Sequence, residues 1–137
     1  MTAGPTTLQL YLLIATGGAF GASLRYFLFE TTFNLLGRGF PYATLLVNIL
    51  GSFVIGILYG AIQHELITII PWRTFMGIGF LGALTTFSTF SLDTLLLLQQ
   101  GDWFKAALNI ILNVFVCIFI AWVGMQLIES VAGKGAI

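Results

Sequence analysis

Four stretches without a charged residue, 1–24, 39–64, 74–92 and 106–128, take up most of this 137-residue chain. A helix needs about 20 predominantly apolar residues to cross the roughly 30 Å of hydrocarbon in a bilayer. Four such helices fit, with little chain left over. The remaining composition agrees, because 58% of residues are apolar while only five are basic and five acidic, a balance foreign to soluble domains of this size. The expectation is an all-α membrane protein with transmembrane helices at roughly 8–29, 44–63, 73–98 and 104–129. The connecting loops are too short to fold separately, so residues 1–137 form a single domain embedded in the lipid bilayer.

The opening MTAGPTTLQL has no positive n-region, and the apolar run behind it is longer than a signal peptide's core, so the first helix is expected to stay in the mature chain. A single cysteine, Cys117, rules out an intramolecular disulfide and zinc-ligand spacing; it reads as a small packing residue. His64 beside Glu65 reads as a solvated loop residue. No nucleophile with a base, phosphate loop or metal-enzyme spacing is visible, so catalysis is not expected, nor is a nucleic-acid partner.

Loop lysines and arginines usually set orientation. Here Arg73 and Lys134 fall on the side holding both termini, and Arg38 and Lys105 on the other, with Arg25 about one turn inside that second end. So weak a bias allows insertion both ways up. An antiparallel dual-topology homodimer follows as an expectation, each interface patch meeting itself across a two-fold axis; the simpler reading is one orientation fixed by Arg25. Gly17 and Gly21, Gly18 and Ala22, and Gly56 and Gly60 recur at four-residue spacing, which lets helix backbones approach closely. Trp72, Trp103 and Tyr42 stand at span ends as interfacial anchors.

Against this apolar background the run TTFSTFS, residues 85–91, places five hydroxyls and two phenylalanines in seven positions. Gly77, Gly79 and Gly82 precede it. Glycines weaken helical continuity and hydroxyl side chains compete for backbone hydrogen bonds, so a broken third helix, interrupted near 82–86, is expected. Non-helical backbone at membrane depth survives only where protein buries it or a polar cavity adjoins it, and broken helices are a recurring device for binding ions. Phe87 and Phe90 fall about 60° apart on one helical face. Their bland reading is packing or lipid contact; the neighbouring Ser88 and Thr89 argue for a functional face.

Asn48 on the second helix, with Thr44 one turn before it, and Asn109 and Asn113 on the fourth add polar groups at comparable depth. Asn48 alone reads as an interhelical hydrogen bond worth roughly 0.6–2 kcal/mol. Together these groups converge on a pathway. Only Asp93 is a carboxylate within a span, whereas proton-coupled transport usually needs a titrating group in the membrane. Amide N–H groups, hydroxyls and the positive edges of phenylalanine rings favour an anion held weakly enough to leave.

GGAFGASLRY at 17–26, the TLLVN stretch of the second helix and above all GFLGALTTFSTFS at 79–91 resemble the CrcB/Fluc fluoride channels of bacteria, and the likeness covers all four spans. The resemblance implies passive movement of fluoride ion out of the cell across the bacterial inner membrane, through two pores in an antiparallel homodimer with a central structural sodium ion (Na+). It implies that Phe87 and Phe90 are pore phenylalanines and that Asn48 supports the permeating ion. Ser88, Thr89, Thr44 and Asn113 would extend the polar track. Backbone carbonyls of Gly82 and Thr85 would hold sodium. Arg25 would raise anion concentration at a vestibule, or else snorkel to the headgroups. Asp93 stands where many members carry glutamate, and Asn109, Asn113 and Cys117 take places associated with tyrosine, serine or threonine. The competing readings are a small proton-coupled drug exporter, which lacks its first-span carboxylate in Leu8 to Phe29, a non-transporting membrane subunit, and a sodium channel.

Overall fold

The computed structural model describes residues 4–133, so Lys134 and the first three residues, used in the topology and leader arguments, lie outside the described residues. Among the described residues, four helical segments are long and apolar enough to cross a membrane: Thr7–Leu36, Tyr42–Gln63, Ile69–Gln99 and Trp103–Ala132. We call the first two α1 and α2. The third is interrupted and gives α3 (69–84) and α4 (Phe87–Gln99); the fourth is α5.

Helix α1 starts where its sequence can satisfy its own end. Thr6 Oγ1 accepts from the Gln9 N–H at 3.4 Å while Gln9 Oε1 accepts from the Thr6 N–H at 2.8 Å, a capping box that occupies two of the orphan donors. The helix continues past the expected end at Phe29, as far as Leu36. The charge of Glu30 had marked that end, yet the next turns remain packed: Thr32 is buried and the rings of Phe29 and Phe33 meet edge-on at 5.8 Å. Termination comes at Gly37, whose φ of 73° suits a residue without a side chain and whose N–H caps the Phe33 carbonyl. Arg25 and Glu30 therefore lie inside the helix, Arg25 about three turns from its end.

In α3, Ile70 is extended, as the residue before a proline tends to be. Residues Arg73–Leu81 form a wider π-helical stretch, and a shorter one, Leu112–Val116, lies within α5. The first half of the molecule is held by small residues: a Cβ on Gly17 or Gly21 would strike the backbone of Phe75 or Phe80, and one on Gly79 would come within 2.8 Å of the Ile14 carbonyl. α2 and α5 pack in the same manner, Gly56 against the Ala121 backbone and Gly124 against that of Phe53. Lipid offers no hydrophobic drive for helix association, so close backbone contact of this kind supplies much of the cohesion. The spacing of Gly17 with Gly21 and of Gly56 with Gly60 had indicated both seams, whereas Gly18 has room and Ala22 is exposed. Val47, Leu58, Leu81 and Leu84 form the buried apolar cluster between them.

Candidate functional site

The third span breaks at Thr85 and Thr86, both extended (ψ 159° and 112°), within the expected interval. Thr86 then starts α4 as its N-cap, its hydroxyl oxygen accepting from the Thr89 N–H at 3.1 Å. The Thr86 N–H, which a continuous helix would give to Gly82, goes instead to Asn48 Oδ1 at 2.9 Å. Both diversions have one effect: the carbonyls of Gly82 and Thr85 lose the N–H groups that would have capped them. Arg25 Nη1 approaches the Thr85 carbonyl at 3.4 Å. The Arg25 side chain, half-buried and turned to the break, is thus not extended toward a helix end.

Asn48 is the hinge of the polar network. Its Nδ2 donates to Asn113 Oδ1 at 2.9 Å and to the Thr86 carbonyl at 3.3 Å. Asn113 in turn donates to the carbonyl and to the side-chain oxygen of Asn109 at 3.0 and 2.9 Å. Around the cap, the Thr86 hydroxyl donates to Thr89 Oγ1 at 3.0 Å and lies 3.2 Å from Ser88 Oγ. Ser88 is exposed and Thr89 half-buried. Among the described residues no buried side-chain nitrogen or oxygen lacks a partner.

A cavity of about 370 Å³ adjoins this network, lined by Asn48, Ser52, Thr85, Thr86, Asn113 and Cys117 among others, with Gly82 and both phenylalanines at its wall. Cys117 is buried there, a packing residue that also faces the cavity. Phe87 and Phe90 touch edge to face, centroids 5.3 Å apart, but they differ in surroundings: Phe90 is 8% exposed and Phe87 77% on the single chain. A second cavity, about 320 Å³, contains Arg38, Thr44, Thr89, Asp93 and Gln100. There the Thr44 hydroxyl donates to Asp93 Oδ2 at 2.6 Å, so the shorter acidic side chain does reach α2. Thr44 is thus joined to Asp93 rather than to Asn48, and Thr89 borders this second space while its N–H and hydroxyl belong to the Thr86 cap.

Asn48 of α2 and Asn113 of α5 thus meet Thr86 at the break in the third span. Comparison with known proteins identifies the chain's lineage. Residues 12–125 match the family described as CrcB-like protein, Camphor Resistance (CrcB). The chain belongs to the CrcB family. Among similar CrcB proteins, that of Pseudoalteromonas translucida, named fluoride-specific ion channel FluC, is 63% identical over 85% of this chain and 97% of its own length. Proteins of the same name from Vibrio vulnificus and Photobacterium profundum are 59% and 55% identical, covering 85% and 83% of this chain and 93% and 90% of theirs. Within this CrcB chain, two polar groups of the network, Thr86 and Thr94, were absent from the expected site set, and Asn109, expected among the polar groups at this depth, had been given no particular role. Thr86 carries a readable signal, a threonine before a helix with its N3 residue one turn on. Thr94 is distinguished only by its contacts.

Proposed function

We propose that this chain is a fluoride-selective passive channel that works as an antiparallel dual-topology homodimer in the bacterial inner membrane, with two pores and a central sodium ion. The observation that carries the reading is the break at Thr85 and Thr86, where the Thr86 N–H and carbonyl are both bonded to the Asn48 amide beside a ring-walled cavity. Fluoride binds its water tightly, so it enters a membrane pore only where several short donors replace that water. Asn48 Nδ2 and the ring edges of Phe87 and Phe90 are the donors at this cavity, and the hydroxyls of Ser88 and Thr89 stand beside them at the Thr86 cap. Asn113 fixes the Asn48 amide, and Thr44 with Asp93 extends the polar track into the second cavity. It is a transport protein, not an enzyme, in keeping with its relatives.

Polar groups in the wall of a cavity that opens on the side of an apolar molecule call for a cover in lipid, and the exposed Phe87 beside them suits contact with a second copy. The Gly82 and Thr85 carbonyls, stripped of their helical donors, fit a hard oxygen-seeking cation; contributed by two inverted copies, they would hold sodium, whose charge would join the two breaks. Arg25, bonded from α1 to the Thr85 carbonyl, supplies positive potential near the anion path. The exporter reading gains little from Glu30, whose side chain is exposed, and Asp93 is already engaged by Thr44.

Purified protein in liposomes, followed with a fluoride electrode, should release fluoride rapidly, driven by no gradient other than fluoride's own. Chloride leaving at an equal rate would overturn the selectivity. Preparing the protein with sodium replaced throughout by N-methylglucamine should slow the release, and unchanged release would remove the cation from the account.

A further inference from the structure

The hydrogen bonds around Asn48 continue past it and return to the helix where they began. The Thr86 N–H donates to Asn48 Oδ1, Asn48 Nδ2 to Asn113 Oδ1, and Asn113 Nδ2 to Asn109 Oδ1, each at 2.9 Å. Asn109 Nδ2 then donates to Thr94 Oγ1 at 2.9 Å, and the Thr94 hydroxyl donates to the Phe90 carbonyl at 2.8 Å. This relay leaves α4 at its first turn, crosses α2 and α5, and rejoins α4 at Phe90. Its direction is forced at two points. A backbone N–H can only donate, so Thr86 sets Asn48 Oδ1 as acceptor; the Asn109 carbonyl can only accept, so it sets Asn113 Nδ2 as donor at 3.0 Å. No amide along the line can turn over without placing two donors or two acceptors face to face.

We propose that Asn109 and Thr94, neither of which borders the first cavity, are positioning residues for conduction: through Asn113 they hold the Asn48 amide and the Phe90 backbone in the arrangement that receives the anion. This rests on the reading of Asn48 and Phe90 as pore groups. Asn109 is fully buried and Thr94 is 8% exposed, so neither can replace a lost partner with bulk water. Bonds in such a chain polarise one another, and removing a distant member weakens those that remain. The weakest link at Asn48 is the 3.3 Å bond to the Thr86 carbonyl, which leaves that N–H as the one a passing anion can take over.

The test uses four variants of the full-length protein in liposomes: Thr94→Val, Thr94→Ser, Asn109→Leu and the Asn109→Leu/Thr94→Val double variant. Thr94→Val and Asn109→Leu should each slow fluoride release about tenfold, the factor that 1.4 kcal/mol makes in an equilibrium. The double variant should be no slower than Asn109→Leu, because both changes cut one line. Thr94→Ser, which keeps the hydroxyl, should conduct as the parent does. Side-chain amide nitrogen resonances should shift at Asn48 in Thr94→Val, although Thr94 does not touch it. Parent-like flux in Thr94→Val, or a Thr94→Ser defect equal to that of Thr94→Val, would overturn the relay. So would losses that simply follow melting temperature with the Asn48 resonance unmoved. If Asn48→Asp stops fluoride while Thr94→Val does not, the channel reading stands and the relay alone fails; if the parent releases no fluoride, the channel reading itself has failed.

Discussion

At residue scale, the two chemistries expected of the site turn on single atoms. Asn48 uses both edges of its amide: Oδ1 receives the Thr86 N–H, and Nδ2 faces Asn113 and the cavity. Asn48→Asp keeps the acceptor, removes the donors and adds a negative charge on the proposed anion path. Fluoride release should fall at least a hundredfold, the factor that about 2.7 kcal/mol represents. Phe90→Ile keeps apolar bulk at a buried position but removes the ring's positive edge, so it should lose flux while folding normally. Parent-like electrode traces from both variants, run beside a melting curve for each, would return these residues to a packing role. The unequal exposure of Phe87 and Phe90 was hidden at this scale. Their spacing places them on one face, but which part of that face meets protein depends on how α4 rolls against α2 and α5.

At the scale of elements, the joints are glycine seams. α1 meets α3 through Gly17, Gly21 and Gly79, and a methyl at Gly21 would collide with the Phe80 backbone, which cannot step aside as a flexible side chain can. Gly21→Ala should therefore cost about 1–3 kcal/mol, the usual range for overpacking. Gly18→Ala, off the crowded line and with its nearest contact at 3.9 Å, should be close to neutral. Thermal unfolding in detergent compares the two, and equal melting temperatures would mean the α1–α3 seam is looser than its geometry indicates. The break between α3 and α4 was legible because hydroxyl-rich, glycine-punctuated stretches compete locally with helix hydrogen bonding. The extent of α1 was not, because a charge at Glu30 resembles a span end while the packing of Thr32 and Phe33 carries the helix onward.

At the scale of the whole molecule, the near balance of basic residues predicts insertion in both directions, which an inverted pair requires. Arg73 lies near the end that holds the N-terminus, and Arg38 and Lys105 near the other. Adding two lysines to the loop between α2 and α3 should bias every copy one way. Such a variant expressed alone should lose fluoride flux, and co-expression with a copy carrying the lysines between α1 and α2 should restore it. Full flux from the singly biased variant would rule out the inverted pair.

The linear order of residues was enough to establish four spans, an interruption inside the third and the family, and to point to amides and hydroxyls at comparable depth, because each signal acts within one or two helical turns or along one apolar run. Partner choice was decided only by the tertiary structure. Asn48 pairs with Thr86 and Asn113, Thr44 with Asp93, and Arg25 with the Thr85 carbonyl, across separations of 38 to 65 residues. Such pairings depend on the rotation of each helix and on how closely glycine lets the backbones approach, and neither quantity is encoded in local periodicity.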